Sequence, residues 1–300
     1  LQAWKVFEEY VSLMRERQER DIDYAMYECR RILENNRTDA VYSSIIVDEG
    51  QDFSSNAYRL LRHIAGEERP NDLFIVGDAH QRIYDRKAVL SQCGISVRGR
   101  SSHLRLNYRT TEEIRKCAFA FLKGVSFDNL DGEYEGEERC RSLTHGDSPT
   151  IRHFNSVADE SSFIISEVKR LAERGVELKN ICLVARTHNL LDDYARTFGE
   201  AGIKAYEIKR TKSDDRNADG LRIATMHRVK GLEFQHMFIA AVNDQVIPPT
   251  KAIKGKDETT RQAAIISEKC LLYVALTRAQ KGACITSYGT RSIILPPADE

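Results

Sequence analysis

Three hundred residues, 41% hydrophobic and 30% charged, describe a globular chain long enough for one large or two medium domains with real cores. Lys plus Arg and Asp plus Glu both number 45, so the net charge is zero, which excludes a uniformly basic surface but not a local basic groove. No apolar run approaches the ~20 residues that cross a bilayer, and Leu1-Gln2-Ala3-Trp4 lacks the basic-then-apolar pattern of a signal peptide. Seven scattered cysteines without a C-x-x-C pair read as the reduced thiols of a cytoplasmic protein, and no Cys/His metal cluster is visible.

Trp4, Phe7, Tyr10, Val11 and Met14 recur three and four apart and predict an amphipathic first helix. A second helix is expected from Asp21 or Asp23 to Leu33, stopped at Asn35-Asn36. Ile45-Ile46-Val47 is an unbroken β-branched run of the kind buried on both faces of a parallel sheet. A helix from about Ser55 to Ala65 follows, capped by Ser54 or Ser55 and ended by Gly66, and then a second buried strand over Leu73–Val76. Strand, helix, strand in this order is a parallel crossover unit.

Further on, Leu104–Leu106 predicts a short strand, and Thr110 with Glu113 a capping box for a helix to about Leu122. Residues 124–149 read as a surface loop or small insertion. Strands near 150–154, 180–185, 203–208, 221–225 and 236–242 alternate with helices near 157–173 and 188–199. Residues 244–262 read as a long exposed loop, and a helix over Glu268–Lys281 and a strand over 283–288 close the chain. The pattern is an α/β fold of two parallel-sheet domains joined near 103–110, the first offering only two or three strands.

Five stretches carry chemistry. Asp48 and Glu49 stand where the first strand ends, the rim at which open α/β sheets place ligands. Two adjacent acids repel unless a cation or a reacting proton lies between them, which assigns Asp48 to Mg²⁺ and Glu49 to polarising a water. At the same rim, Gln81 is suited to a terminal phosphate or an attacking water, and Tyr84 to stacking on a base. Arg109 and Arg278 offer the rigid donor forks that bridge phosphate oxygens. After the strand at 221–225, His227, Arg228 and Lys230 provide donors for a phosphate backbone, and Glu233 an acceptor for a ribose hydroxyl. Taken singly, each stretch also fits an ordinary acidic turn, capped loop or surface ion pair.

The ordered set Val-Asp-Glu-Gly-Gln-Asp (47–52), Gly-Asp-Ala-His-Gln-Arg-Ile-Tyr (77–84), Leu-Asn-Tyr-Arg (106–109), Thr-Met-His-Arg-Val-Lys-Gly-Leu-Glu-Phe (225–234) and Leu-Leu-Tyr-Val-Ala-Leu-Thr-Arg-Ala (271–279) resembles motifs II to VI of superfamily 1 helicases of the UvrD/Rep/PcrA type. The resemblance runs from about residue 40 to 288. It implies two RecA-like domains, with 1–105 the C-terminal part of the first and 106–300 the second. ATP is then expected in the cleft between them and single-stranded DNA across their top. On this pattern Asp48 is the Mg²⁺ ligand, Glu49 the catalytic base, Gln81 the γ-phosphate sensor, and Arg109 and Arg278 the arginine fingers. Glu233 contacts the ribose, and His227 and Tyr84 link the ATP site to the DNA. Members of this branch move 3′ to 5′.

The chain departs from the pattern in three places. The phosphate-binding loop G-x-x-x-x-G-K-[ST] does not occur in the 300 residues, Gly255-Lys256-Asp257 being only a decoy. The expectation is that Leu1 falls inside the first RecA-like domain and that this piece alone binds ATP weakly and does not hydrolyse it. Asp85-Arg86-Lys87 follows Tyr84 where the family often has Phe-Arg-Gly, and the usual large insertion of the second domain has little room. A translocase is expected more than an efficient unwinder. The alternatives are a non-catalytic nucleotide- or DNA-sensing module and the helicase part of a defence or nuclease fusion.

Overall fold

The computed structural model describes residues 2–36, 42–83, 88–125, 127, 140–209 and 214–296. They fall into two compact units, one within 1–102 and the other within 103–300. Among the described residues no helix is long and apolar enough to cross a membrane.

The first unit runs α1 (Gln2–Glu16), α2 (Ile22–Asn36), β1 (Ile45–Val47), α3 (Ser55–Ala65) and β2 (Leu73–Ile75). The strands pair in parallel, Ile45 opposite Leu73 and Val47 opposite Ile75, so the crossover unit forms as the sequence predicts. Ser54 caps α3 by accepting from Ala57 N–H at 3.2 Å, and the Asp23 carboxylate accepts from Ser54 Oγ and, at 2.7 Å, from Asn56 Nδ2. These bonds fix α2 to the start of α3. Tyr58, Leu90, Cys93 and Ile95 are buried together and pack against Phe53, Leu61, Leu73 and Ile75.

One expectation needs correcting here. Burial on both faces does not hold for these strands: Ile46 is 76% and Phe74 63% exposed, while Val47 is buried. The side chains alternate between a covered and an open face, and a run in which every residue is apolar conceals that alternation. In α1, likewise, the expected apolar stripe forms but lies open, with Trp4 63% and Phe7 53% exposed.

The second unit opens with β3 (Leu106–Thr111), α4 (Glu112–Phe121) and β4 (Arg141–Thr144), where β3 and β4 make a separate parallel pair. It continues through β5 (Thr150–Phe154), α5 (Val157–Glu173), β6 (Ile181–Ala185), α6 (His188–Glu200), β7 (Ala205–Glu207), β8 (Leu221–Thr225) and β9 (Phe234–Ile239). α7 (Thr250–Ile253), α8 (Glu258–Leu276) and β10 (Ala279–Tyr288) complete it. β5 to β10 form a wholly parallel sheet in the order β5-β10-β9-β6-β8-β7. β6 is buried at every residue, as a central strand covered on both faces should be. Ile164 and Val168 of α5 and Tyr194 and Phe198 of α6 pack with Leu183, Ile223 and Phe238 in one core. Inside it the Glu160 carboxylate accepts from Tyr194 Oη and, at 3.1 Å, from Ala241 N–H, which anchors a left-handed residue (φ 56°) just past β9.

Local boundaries moved for identifiable reasons. Thr111, not Thr110, caps α4, accepting from Ile114 N–H at 3.4 Å, while Thr110 Oγ1 accepts from Asn107 Nδ2 at 2.7 Å. α8 begins at Glu258, well inside the expected loop, because Asp257 caps it through Thr260 N–H at 3.0 Å. Its first turns are polar and exposed, so apolar spacing carries no sign of them. It ends at Leu276, which leaves Arg278 beyond the helix at the approach to β10.

Glu112 joins α4 to β4: its carboxylate accepts from Arg115 Nε (3.0 Å), Arg115 Nη2 (2.7 Å) and Ser142 N–H (2.8 Å). The Arg115 bonds, against the opposing effect of burial, hold its carboxyl down at about 2. Glu112→Ala strips the carboxylate from a buried guanidinium and is expected to cost about 3–5 kcal/mol. Urea denaturation followed by circular dichroism checks this; a loss below about 1 kcal/mol would place the pair among ordinary surface ion pairs.

Candidate functional site

β1 and β2 end at one rim of the first unit, and hydrogen bonds knit the two turns that follow. Gly50 N–H donates to Val76 O at 2.8 Å and Tyr58 Oη to Gly50 O at 2.7 Å. Gln51, 1% exposed, sits between the turns: its Nε2 donates to Glu49 Oε2 at 2.5 Å and its Oε1 accepts from Asp78 N–H at 2.9 Å. Asp78 in turn accepts from Gln81 Nε2 at 2.8 Å and from His80 N–H at 3.0 Å, with His80 Nδ1 also 3.0 Å away. Burial works against ionising Asp78, but the His80 and Gln81 contacts outweigh it and hold its carboxyl below the ordinary range. The packing needs glycine at two points: a Cβ on Gly77 would lie 2.8 Å from Gln51 Oε1, and one on Gly50 2.6 Å from Tyr58 Oη.

The expected acids thus stand together at this rim, and Gln81 is joined to Glu49 through Asp78 and Gln51. Asp48 is exposed, with one oxygen accepting from Glu49 N–H at 2.8 Å. Among the described residues no three His, Cys, Asp or Glu side chains gather as a ready-made metal cage. One exposed carboxylate suits Mg²⁺, which binds through one or two carboxylates and completes its shell with water and phosphate oxygens. Tyr84 lies outside the described residues. Gln51 and Asp78 belong to the motif-bearing stretches, but nothing in their spacing discloses that an amide bridges the two turns.

In the second unit an open cavity of about 590 Å³ is lined by Tyr108, Arg109, His145, Glu233, Gln280 and Lys281, among others. Arg109 Nε lies 3.3 Å from Glu233 Oε2, so the expected phosphate-binding cation and ribose acceptor share one wall. Arg109 N–H is held by Asn107 Oδ1 at 2.8 Å. Tyr108, 73% exposed, lines the same cavity. Regular alternation would send it to the opposite face from Arg109, but the β3–β4 register shifts between Asn107 and Thr111. His145 is fixed through Nδ1 to Glu113 Oε1 at 2.9 Å. Arg278 is buried past the end of α8, its Nε donating to Val274 O at 3.2 Å and its Nη2 to Thr277 Oγ1 at 3.3 Å. Phe234 N–H donates to Arg278 O at 2.9 Å, which brings the backbones of Arg278 and Glu233 to neighbouring strand starts.

At the opposite edge of the six-stranded sheet, residues 226–233 alone return the chain from the end of β8 to the start of β9, across β6. Parallel strands usually need a dozen residues or more for such a crossover. Fully buried Met226 and Val229 pin the segment, and Gly231 (φ 80°) turns it. Burial, assisted by the nearby Arg186 charge, pushes the His227 imidazole down to about 4. Arg186 is itself held by Glu268 at 2.7 Å. Arg228 Nε donates to Lys209 O at 3.1 Å, and Lys230 is half-buried. Of the three donors expected for a phosphate backbone, His227 is neutral and Arg228 is tied to the protein's own chain.

Residues 2–92 match the family model of the UvrD/REP helicase N-terminal domain, and residues 102–212 and 205–290 that of the UvrD-like helicase C-terminal domain. A probable DNA helicase of Mycoplasma pneumoniae is 27% identical over 254 residues, 83% of this chain and 44% of the relative. The mitochondrial ATP-dependent DNA helicase HMI1 of Saccharomyces cerevisiae is 26% identical over 178 residues, 56% of this chain and 25% of the relative. The ATP-dependent DNA helicase PcrA of Staphylococcus epidermidis is 36% identical over 75 residues, 25% of this chain and 10% of the relative. The chain therefore spans less than half the length of these relatives.

The His227 environment gives a signed prediction. Its folded value lies below the ordinary histidine range, so the unfolded chain takes up the proton first and stability falls as pH drops from that range toward about 4. Histidine-detected NMR should show His227 neutral from about pH 8 to about pH 5, and Arg186→Gln should raise its titration midpoint. A wild-type His227 that titrates in the ordinary range would contradict its burial.

Proposed function

The chain belongs to the UvrD-like DNA helicase family, and from that premise we propose that it carries most of the ATP-hydrolysing and strand-moving machinery of an ATP-dependent 3′ to 5′ helicase or single-strand translocase. The observation that carries the reading is the knitted rim of the first unit, where Glu49, Gln51, Asp78 and Gln81 form one hydrogen-bonded chain beside an exposed Asp48. A decorative turn has no use for a buried amide that orients one carboxylate and braces a second turn.

In this reading Asp48 would hold Mg²⁺, which when bound would supply charge neutralisation at the phosphates. Glu49, oriented by Gln51 Nε2, takes the proton from the attacking water. Gln81 exchanges its Asp78 partner for the terminal phosphate and so reports its presence. Arg109 and Arg278 neutralise the charge that develops on the transferring phosphoryl group, Arg278 pre-positioned by Val274 O and Thr277 Oγ1. Glu233 accepts from the ribose, and Tyr108 offers an exposed ring face to the base. His227, Arg228 and Lys230 stand on the side of single-stranded DNA, with His227 a neutral hydrogen-bonding group.

One observation favours a second reading for these 300 residues taken alone: they contain no G-x-x-x-x-G-K-[ST] loop. Without backbone donors and a lysine around the β- and γ-phosphates, this chain by itself is expected to bind ATP weakly and to show no DNA-stimulated ATPase above background.

In the whole protein, Glu49→Gln should leave ATP affinity within a few-fold of wild type and lower kcat by at least about 10²-fold, as loss of a general base does. Arg278→Ala should lower kcat comparably with little change in KM, because it acts mainly in the transition state. Steady-state ATPase assays with single-stranded DNA decide both; wild-type turnover in the Glu49 variant would remove that residue from catalysis.

A further inference from the structure

α7 and the turn after it present Lys251, Lys254 and Lys256, all exposed. Among the described residues no carboxylate lies within ion-pair distance of their ammonium groups, although many other exposed cations of this chain are paired, Arg170, Lys179 and Arg196 among them. The neighbouring acids are committed elsewhere. Asp257 accepts from Thr260 N–H at 3.0 Å and Thr260 Oγ1 at 2.6 Å, and Glu258 from Gln262 Nε2 at 2.7 Å with Arg261 at 3.4 Å. The segment is also held in place. Thr250 N–H donates to Gln245 O at 3.2 Å, Lys254 N–H to Thr250 O at 2.9 Å, and Ser292 Oγ to the carbonyl of buried Ile247.

Topology fixes where this cluster stands. Beyond β9 the chain stays beside the residues that follow β10, Asp244 N–H donating to Thr290 O at 2.9 Å. α8 then runs back to the start of β10. The lysines therefore lie at the C-terminal edge of the six-stranded sheet, the edge that also carries Arg186 and His227. Solvation alone accounts for exposed lysines. It does not account for three mutually repelling charges on a braced segment, at the edge where the best-placed cations are already engaged by the protein.

We propose that Lys251, Lys254 and Lys256 bind the phosphodiester backbone of a single-stranded nucleic acid, carrying its path past β9 and β10 from the loop after β8. This rests on the nucleic-acid reading above and adds to it a surface that none of the motifs contains. About three interstrand spacings of ~4.8 Å separate β8 from β10, a span that a few nucleotides cover.

The test is the salt dependence of binding to a fluorescein-labelled oligo(dT), measured by anisotropy across a series of KCl concentrations on the 300-residue chain. Each phosphate neutralised on a single strand contributes about 0.7 to the slope of log K against log salt. The triple variant Lys251→Gln/Lys254→Gln/Lys256→Gln should therefore lose about 2 from the slope, with weaker binding at low salt. The control, Lys169→Gln/Arg174→Gln/Lys179→Gln, removes as much charge near the end of α5, at the opposite edge, and should keep the wild-type slope. An unchanged slope in the first variant, or an equal loss in both, overturns the proposal. A wild-type chain that does not bind the oligonucleotide at low salt overturns the nucleic-acid reading itself.

Discussion

A wholly parallel sheet has two unlike edges, and this constraint orders the chemistry of the second unit. All six strands start at one edge and finish at the other, so loops before strands and loops after strands are kept apart by the length of a strand. Glu233, Arg278 and Gln280 precede or open strands and gather at the first edge; Arg186, His227 and the α7 lysines follow strands and gather at the second. The segment 226–233 passes from one to the other without a helix. A crossover so short, with Met226 and Val229 buried along it, has little slack to absorb a displacement. In the proposed reading, this short connection is the part of the second unit that would link Glu233 to His227.

The first unit solves a different problem, that of holding two acidic turns at one rim. Glu49 adopts left-handed backbone angles (φ 52°, ψ 40°), which cost a non-glycine residue of order 1–3 kcal/mol. The cost is met by surroundings that over-determine the turn. Tyr58 Oη grips Gly50 O, Gly50 N–H is bonded to Val76, and Gln51 ties the Glu49 side chain to Asp78 N–H. Because Gln51 is buried, its two hydrogen bonds have no competing water. The glycines at 50 and 77 exist for closeness of approach to Tyr58 and Gln51, not for backbone freedom.

Much of this was legible from residue order alone, and the exceptions share physical causes. β6 announces itself as an unbroken apolar run, and α5 and α6 by their spacing. Ile46 and Phe74 misled because apolarity says a residue can be buried, not that something covers it. The start of α8 was hidden because exposed helical turns carry no stripe, though Asp257 with Thr260 was there to be read as a cap. Tyr108 escaped notice through a register irregularity in β3, which no alternation rule anticipates. The bridging role of Gln51 depends on where β2 brings Asp78, a tertiary fact.

The charge state of the crossover segment was the least readable feature, and it changes what the segment can do. From residue types, His227 and Arg228 look like a cationic strip for phosphates. Burial removes the charge from the first, and the Lys209 carbonyl engages the second. A neutral, packed imidazole responds to position and not to ionic atmosphere, whereas backbone attraction is salt-screened and has no fixed geometry. In the proposed reading, coupling and holding are then separate tasks with opposite requirements. Coupling in that reading falls to the fully buried Met226 and Val229 and the uncharged His227 between them. Holding a strand, as proposed for the α7 lysines, suits charges that are solvated, interchangeable and weakly oriented, and long lysine side chains on an exposed turn fit that description where a fixed guanidinium does not.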